Sequence, residues 1–269
     1  ARSLSADGRL PASGRDGDLN LSAQGVTLGG EQFEHAALTL TGSVAAFHAD
    51  ASLSGDVGSF DAKASASGQG AQWQGRLEQL RIAPSRGPAW HLQAGSGFRY
   101  QAGDLQLDRA CLVPETPGGQ LCAQANGQRA TISGVDLPLT MVEPWLPATA
   151  LTLQPFGEVD FNGEFARERS GGWGGQAQLR SANGGLRIDP KSQQEIVSYS
   201  DLRLDLELQQ SRLALSLAAR LRDGGSISGK ANTSLSAAAP LDGELHLDVR
   251  RLDWMELLST DLAGTKGEL

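Results

Sequence analysis

Between Ser200 and Gly224, apolar and polar residues alternate with the period of an extended strand, twice over. Leu202, Leu204, Leu206 and Leu208 are separated by Arg203, Asp205 and Glu207. After Gln209, Gln210, Ser211 and Arg212 the alternation resumes as Leu213, Leu215, Leu217, Ala219 and Leu221. Successive side chains of a strand point to opposite faces, so each run has one apolar and one wet side. Folded as an antiparallel hairpin with a loop over Gln209–Arg212, the register sets Leu208 against Leu213, Leu206 against Leu215, Leu204 against Leu217 and Leu202 against Ala219. A slip of one residue would turn every leucine to water. The interleaved charges cannot be buried cheaply. The hairpin therefore has a greasy side that something must cover or bind.

The same beat runs through most of the chain. Ala36, Leu38 and Leu40 precede Gly42, Phe47 to Leu53 stop at Gly55, and Phe60 to Ala66 end at Gly68. Trp73, Gly75 and Leu77 alternate before the phase shifts through Leu80 and Ile82, the mark of a bulge or bend. Later runs include Leu105 and Leu107, then Leu121 to Ala125, Val159 and Phe161, and Trp173 to Leu179. Ile227 to Leu235 returns as Leu241 to Val249; pairing Leu235 with Leu241 would set Gly229 opposite Leu247 and Ala231 opposite Leu245. The 34 glycines among 269 residues act as punctuation between many short strands. Aromatics are only 5%, which leaves little bulk to plug a core. Such a sheet is lined rather than filled, or else closes on a thin sandwich core; alternation does not separate the two.

The period changes at Val135–Pro147, where Leu139, Val142 and Leu146 fall at helical spacing. A short helix near 137–146 is expected, with Asp136 as N-cap and Pro144 and Pro147 limiting it to a turn or two. A second copy, Leu252-Asp253-Trp254 through Leu258, predicts another near 253–258. The chain then divides into pseudo-modules of about 1–147 and 148–258, with 259–269 opening the next. It lacks an initiator Met and stops at Gly267-Glu268-Leu269, so it is expected to be an excerpt of a longer protein.

Several function classes lose support. A net charge of −8 and a pI near 5.0 argue against nucleic-acid binding. No apolar stretch approaches the roughly 18–20 residues of a membrane-spanning helix. His35, His48, His91 and His246 sit in separate strand-like segments without carboxylate or cysteine at metal spacing. There is no nucleophile elbow and no phosphate loop. No enzyme, metal or cofactor is expected. The two cysteines, Cys111 and Cys122, flank a Pro/Gly turn. If the flanks pair antiparallel, Cys111 faces Cys122 and Leu112 faces Leu121. A disulfide in an oxidising compartment and two buried thiols in a reducing one both fit.

The segments LQLDRACLVPETPGGQLCAQANG, VDLPLTMVEPWLP and LTLQPFGEVDFNGEF, between residues 105 and 165, resemble the TamB-type proteins of the AsmA-like family. The similarity rests on Cys111 and Cys122 around their turn, on Leu137-Pro138-Leu139, on Pro144-Trp145-Leu146-Pro147 and on Gly157-Glu158-Val159. The second short helix is similar to the family's repeated DLxxL element. The resemblance implies an all-β, elongated and curved antiparallel meander, a U-shaped β-taco with an apolar concave face, forming one continuous segment over 1–269. It implies a periplasmic location with the full-length protein anchored in the inner membrane. It further implies the outer-membrane barrel TamA and nascent outer-membrane proteins as partners, and phospholipid movement between the two membranes. A Cys111–Cys122 disulfide is then the expected state, and the segment reads as a middle or late piece of the groove. Acyl chains would lie along Leu38, Leu40, Leu53, Leu105, Leu107, Val159 and Phe161. They would continue along Leu202, Leu204, Leu206, Leu208, Leu213, Leu215, Leu217, Leu221, Leu245, Leu247 and Val249. The alternative is a strand scaffold or chaperone for nascent barrels without lipid transport; a filled structural sandwich is a third, weaker reading.

Overall fold

The structure, a computed structural model, describes residues 3–9, 16–28, 31–43, 45–85, 87–116, 118–145, 153–168, 171–188, 194–222, 224–234 and 242–248. It is all-β and antiparallel throughout. The chain forms two compact units, Ala1–Ala130 and Thr131–Leu269. The second expected helix and Val249 lie outside the described residues.

The first unit contains β1 (Ser3–Arg9), β2 (Gly17–Leu28), β3 (Glu31–Ser43), β4 (Ala46–Gly55), β5 (Gly58–Gln69) and β6 (Gln72–Pro84). Each pairs with the next, as alternation broken by short turns dictates. Next come β7 (Trp90–Leu92), β8 (Ser96–Gln101), β9 (Asp104–Pro114) and β10 (Gln120–Asn126). The two short strands β7 and β8 both lie between β6 and β9. The phase shift at Leu77–Leu80 is a bulge: Ala62 pairs with Leu80 but Ala64 with Leu77. Glu78 is the extra residue, and both sets of apolar side chains stay on one face.

β11 (Arg129–Pro138) leads into the second unit, followed by β12 (Leu153–Arg167), β13 (Trp173–Ile188), β14 (Gln194–Gln209), β15 (Arg212–Leu221), β16 (Ser226–Ser234) and β17 (Asp242–Asp248). From β12 onward each strand pairs with its successor. The hairpin register is as expected for Leu208–Leu213, Leu206–Leu215 and Leu204–Leu217. Two details differ. Gln209 pairs with Arg212, so the loop is the two-residue turn Gln210-Ser211, with φ of 47° and 67°. Two positive φ values define the mirror-image turn that matches strand twist, which Asn-Gly suits far better. Gln210→Asn with Ser211→Gly is expected to stabilise the unit by about 0.5–1 kcal/mol, read as a rise in the urea midpoint. The second difference is a bulge between Ser200 and Arg203, centred on Asp201 at φ 53°. It removes the expected Leu202–Ala219 pair and brings Tyr199 opposite Leu221 instead.

Two further expectations are corrected. Leu245 faces Gly229, and Gly243 faces Ala231, a shift of two residues from the expected register. An even slip keeps every side chain on its face, so period-two alternation does not discriminate against it. The short helix near 137–146 is present as a 3-10 helix, Leu139–Trp145, but Asp136 does not cap it. β11 runs on through Pro138, and Asp136 sits within it at φ 50°. Its backbone N–H donates to Asp160 Oδ1 at 3.0 Å. Pro144 offers no N–H to continue a helix.

Candidate functional site

Cross-strand pairing turns the alternating residues into rows that cross each unit's sheet. In the first unit one row runs Leu21, Leu38, Ala51, Ala62, Leu80. Its neighbours run Leu19, Leu40, Ala49, Ala64, Leu77 and Ala36, Leu53, Phe60, Ile82, Trp90. A further row, Phe47, Ala66, Gly75, Phe98, Leu107, passes beside Trp73, Tyr100 and Leu105 near the turns. Leu38, Leu40, Leu53 and Leu107 thus share one apolar face. Leu105 is on the same face but 48% exposed, at its margin.

The second unit repeats the arrangement with larger residues. Phe161, Leu179, Leu204, Leu217, Gly229 and Leu245 form one continuous row. Gly163, Ala177, Leu206, Leu215, Ala231 and Gly243 form the next, and Phe165, Gly175, Leu208, Leu213 and Thr233 a third. Val159 lies on the same face of β12 as Phe161 and is buried. Leu247 faces Ile227, which in turn faces Ala219. The expected lining residues Leu202 to Leu217 are mostly half-buried, Leu208 and Leu221 are buried, and Leu245 is 61% exposed on the outermost described strand.

The alternation did not reveal a polar interruption of this face. The bulge in β14 faces an irregularity in β13, where β12 pairing shifts between Gly157 and Asp160. There Tyr199 donates to Ser181 Oγ at 3.0 Å, and Ser181 donates to the Glu158 carbonyl at 2.6 Å. Ser181 is only 4% exposed. Burial pushes the Tyr199 hydroxyl above its ordinary pKa, opposed by the Ser181 hydrogen bond. Tyr199→Phe is expected to cost about 1 kcal/mol, the worth of one neutral hydrogen bond, read by urea denaturation. Beside it, Leu221 packs against Val197, Tyr199 and Ile227. Leu221→Ala should cost about 2–3 kcal/mol, at the lower end for a core leucine because the cluster is small.

The opposite face is polar. Lys63 pairs with Asp50 at 3.4 Å and Arg81 with Glu115 at 2.7 Å. In the second unit Arg203 donates to Asp205 Oδ2 at 2.7 Å, and Gln178 also donates to that carboxylate. The Arg203 bond foremost, then that of Gln178, holds Asp205 below its ordinary pKa. Concavities of about 630 Å³ around Arg76, Arg99 and Asp108, and about 620 Å³ around Glu164, Gln178 and Lys230, open chiefly on this polar side. Among the described residues no group of His, Cys, Asp and Glu is arranged to hold a metal. The four histidines are exposed.

Cys111 faces Cys122 across β9 and β10, with Leu112 facing Leu121, as the turn between them implied. The Cα atoms are 4.0 Å apart, and Arg109 Nη2 lies 3.5 Å from Cys122 Sγ. Alternation puts this pair on the side of the sheet away from Leu112 and Leu121.

The described strands are antiparallel meanders with one apolar face and one hydrated face. The family model described as TamB, N-terminal domain, matches residues 1–269, and the chain belongs to the TamB family. That description replaces the expected middle or late position with the family's N-terminal domain. The family is one of transport and assembly modules of the cell envelope, reaching across the periplasm. No curated protein and no solved structure matches the chain.

Proposed function

We propose that the apolar faces form the floor of a trough that carries phospholipid acyl chains between the inner and outer membranes, within a periplasmic protein that works with TamA. The observation that carries this reading is the unbroken row from Phe161 through Leu179, Leu204 and Leu217 to Leu245, repeated by neighbouring rows. Contiguous apolar surface left half-exposed is a binding surface. Each methylene withdrawn from water contributes about 0.8 kcal/mol, and many equivalent positions allow a chain to move without a deep well. In the periplasm Cys111 and Cys122 are joined as a disulfide. The test is extraction of the protein from cell envelopes followed by lipid mass spectrometry, with a photo-crosslinker at Leu215 and, as control, at Ser216. Phospholipid crosslinked at Leu215 and not at Ser216 is the expected result; no lipid at either sinks the proposal.

The scaffold reading has one observation in its favour. Every residue of β1 is exposed, and β1 pairs with β2 over Ser3–Arg9. An exposed strand can present its backbone to a nascent barrel strand by β-augmentation. Crosslinks from Ser5 to outer-membrane proteins, with none to lipid at Leu215, would favour this reading over the trough.

A further inference from the structure

We infer that Gly163 and Gly175 form a seat for the Phe165 ring and that this seat sets the clearance above the apolar face of the second unit. The inference rests on the acyl-chain reading above. Gly175 is the cross-strand partner of Phe165, and Gly163 precedes it by two residues on the same face. A methyl group built on Gly175 would first meet the Glu164 carbonyl oxygen and Phe165 Cα at 2.7 Å, then Phe165 Cδ1 at 2.8 Å; one built on Gly163 would lie 3.1 Å from Phe165 Cε2. The ring therefore lies close over both glycines, and at Gly163 it takes up space that a side chain would need. In the first unit Phe98 and Trp73 also lie beside their cross-strand glycines, where a methyl on Gly75 or Gly68 would first meet the Ser65 or Gln72 carbonyl oxygen and then Phe98 Cζ at 2.6 Å or Trp73 Cδ2 at 2.9 Å.

Two physical effects follow. A ring laid over a strand glycine covers backbone that would otherwise be bare, which is why such pairs stabilise sheets. It also keeps the bulkiest side chain of the row low. A linear acyl chain clears a seated ring; a ring tipped out of its seat stands in the path. The seat makes Gly163 a positioning residue for cargo it does not itself contact.

Gly163→Ala probes the seat, because the three atoms nearest its methyl would all belong to side chains: Ile132 Cγ2 and Phe165 Cε2 at 3.1 Å and Ala177 Cβ at 3.2 Å. The experiment measures retention of an acyl-chain-labelled phosphatidylethanolamine, supplied in phosphatidylethanolamine vesicles, by the whole chain. With Phe165 present, Gly163→Ala is expected to lower retention by about three- to tenfold, a loss of about 0.6–1.4 kcal/mol. In a Phe165→Ala background the same substitution should change nothing. No loss with Phe165 present, or an equal loss in both backgrounds, overturns the seat. If Gly163→Ala fails to fold by circular dichroism, the same cycle runs in an Ile132→Ala background, which removes the methyl's neighbour Ile132 Cγ2 and leaves Phe165 Cε2. Lipid lost on placing arginine at Leu204 and Leu217, but kept by Gly163→Ala, removes the seat alone. A native chain that retains no lipid removes both the seat and the trough.

Discussion

Leu204→Arg combined with Leu217→Arg is expected to abolish phospholipid retention, at least tenfold by lipid mass spectrometry, without unfolding the protein. The two leucines are cross-strand partners at the centre of the row from Phe161 to Leu245. With acyl chains over this row, two guanidinium groups would have to be desolvated beneath them with no carboxylate among the described residues of this row and its two neighbours. An unpaired charge in an apolar setting costs several kcal/mol, which exceeds the gain from a few methylenes. Without cargo the same positions are half-exposed, so the long side chains reach water and the sheet survives. That contrast separates a trough from a sandwich. If the face were packed against a second layer, the double substitution would unfold the unit. Ser216→Arg, between them in sequence but on the polar side, should leave retention unchanged. Retention that survives the double arginine would rule out the trough.

Replacing Cys111 and Cys122 together with serine is expected to cost about 2–3 kcal/mol, the chain-entropy value for a short cross-link. Their separation is 11 residues. The loss should appear as a lowered urea midpoint, and reducing agent should lower the native protein to the same value without affecting the double variant. The effect should concentrate where β7 and β10 flank β9, so amide exchange there should speed up more than in β2 to β5. Free thiols in protein taken from the periplasm, or a midpoint indifferent to reduction, would exclude the disulfide.

What alternation encodes, and what it omits, can be read from a few positions. Leu204, Leu206 and Leu208 found Leu217, Leu215 and Leu213 because a tight turn and a strict period of two leave one solution. Asp201 carried no warning: a bulge at a non-glycine residue looks like any other polar position of a strand. The slip that put Gly229 under Leu245 instead of Leu247 was invisible for the opposite reason, since both registers satisfy the same faces. Asp136 looked like a helix cap because helical spacing follows it, yet the strand's pairing extends two residues beyond it. For the candidate site, the face of each leucine was legible, but its degree of cover was not. Leu221 and Leu245 have the same pattern in sequence and differ from 8% to 61% exposure. The Tyr199–Ser181 pair needed two bulges to bring it together.

The order of strands has a mechanical consequence. From β2 to β5 each strand pairs with the strands before and after it in sequence. Tension applied across such a hairpin series runs along the hydrogen bonds, so the bonds are opened one after another and not sheared together. Opening the β1–β2 pairing frees the 7 residues of β1 and lengthens the chain by about 3.3 Å per residue, while β3 to β5 keep their pairing. Such a series gives way in small steps, strand by strand, and not all at once.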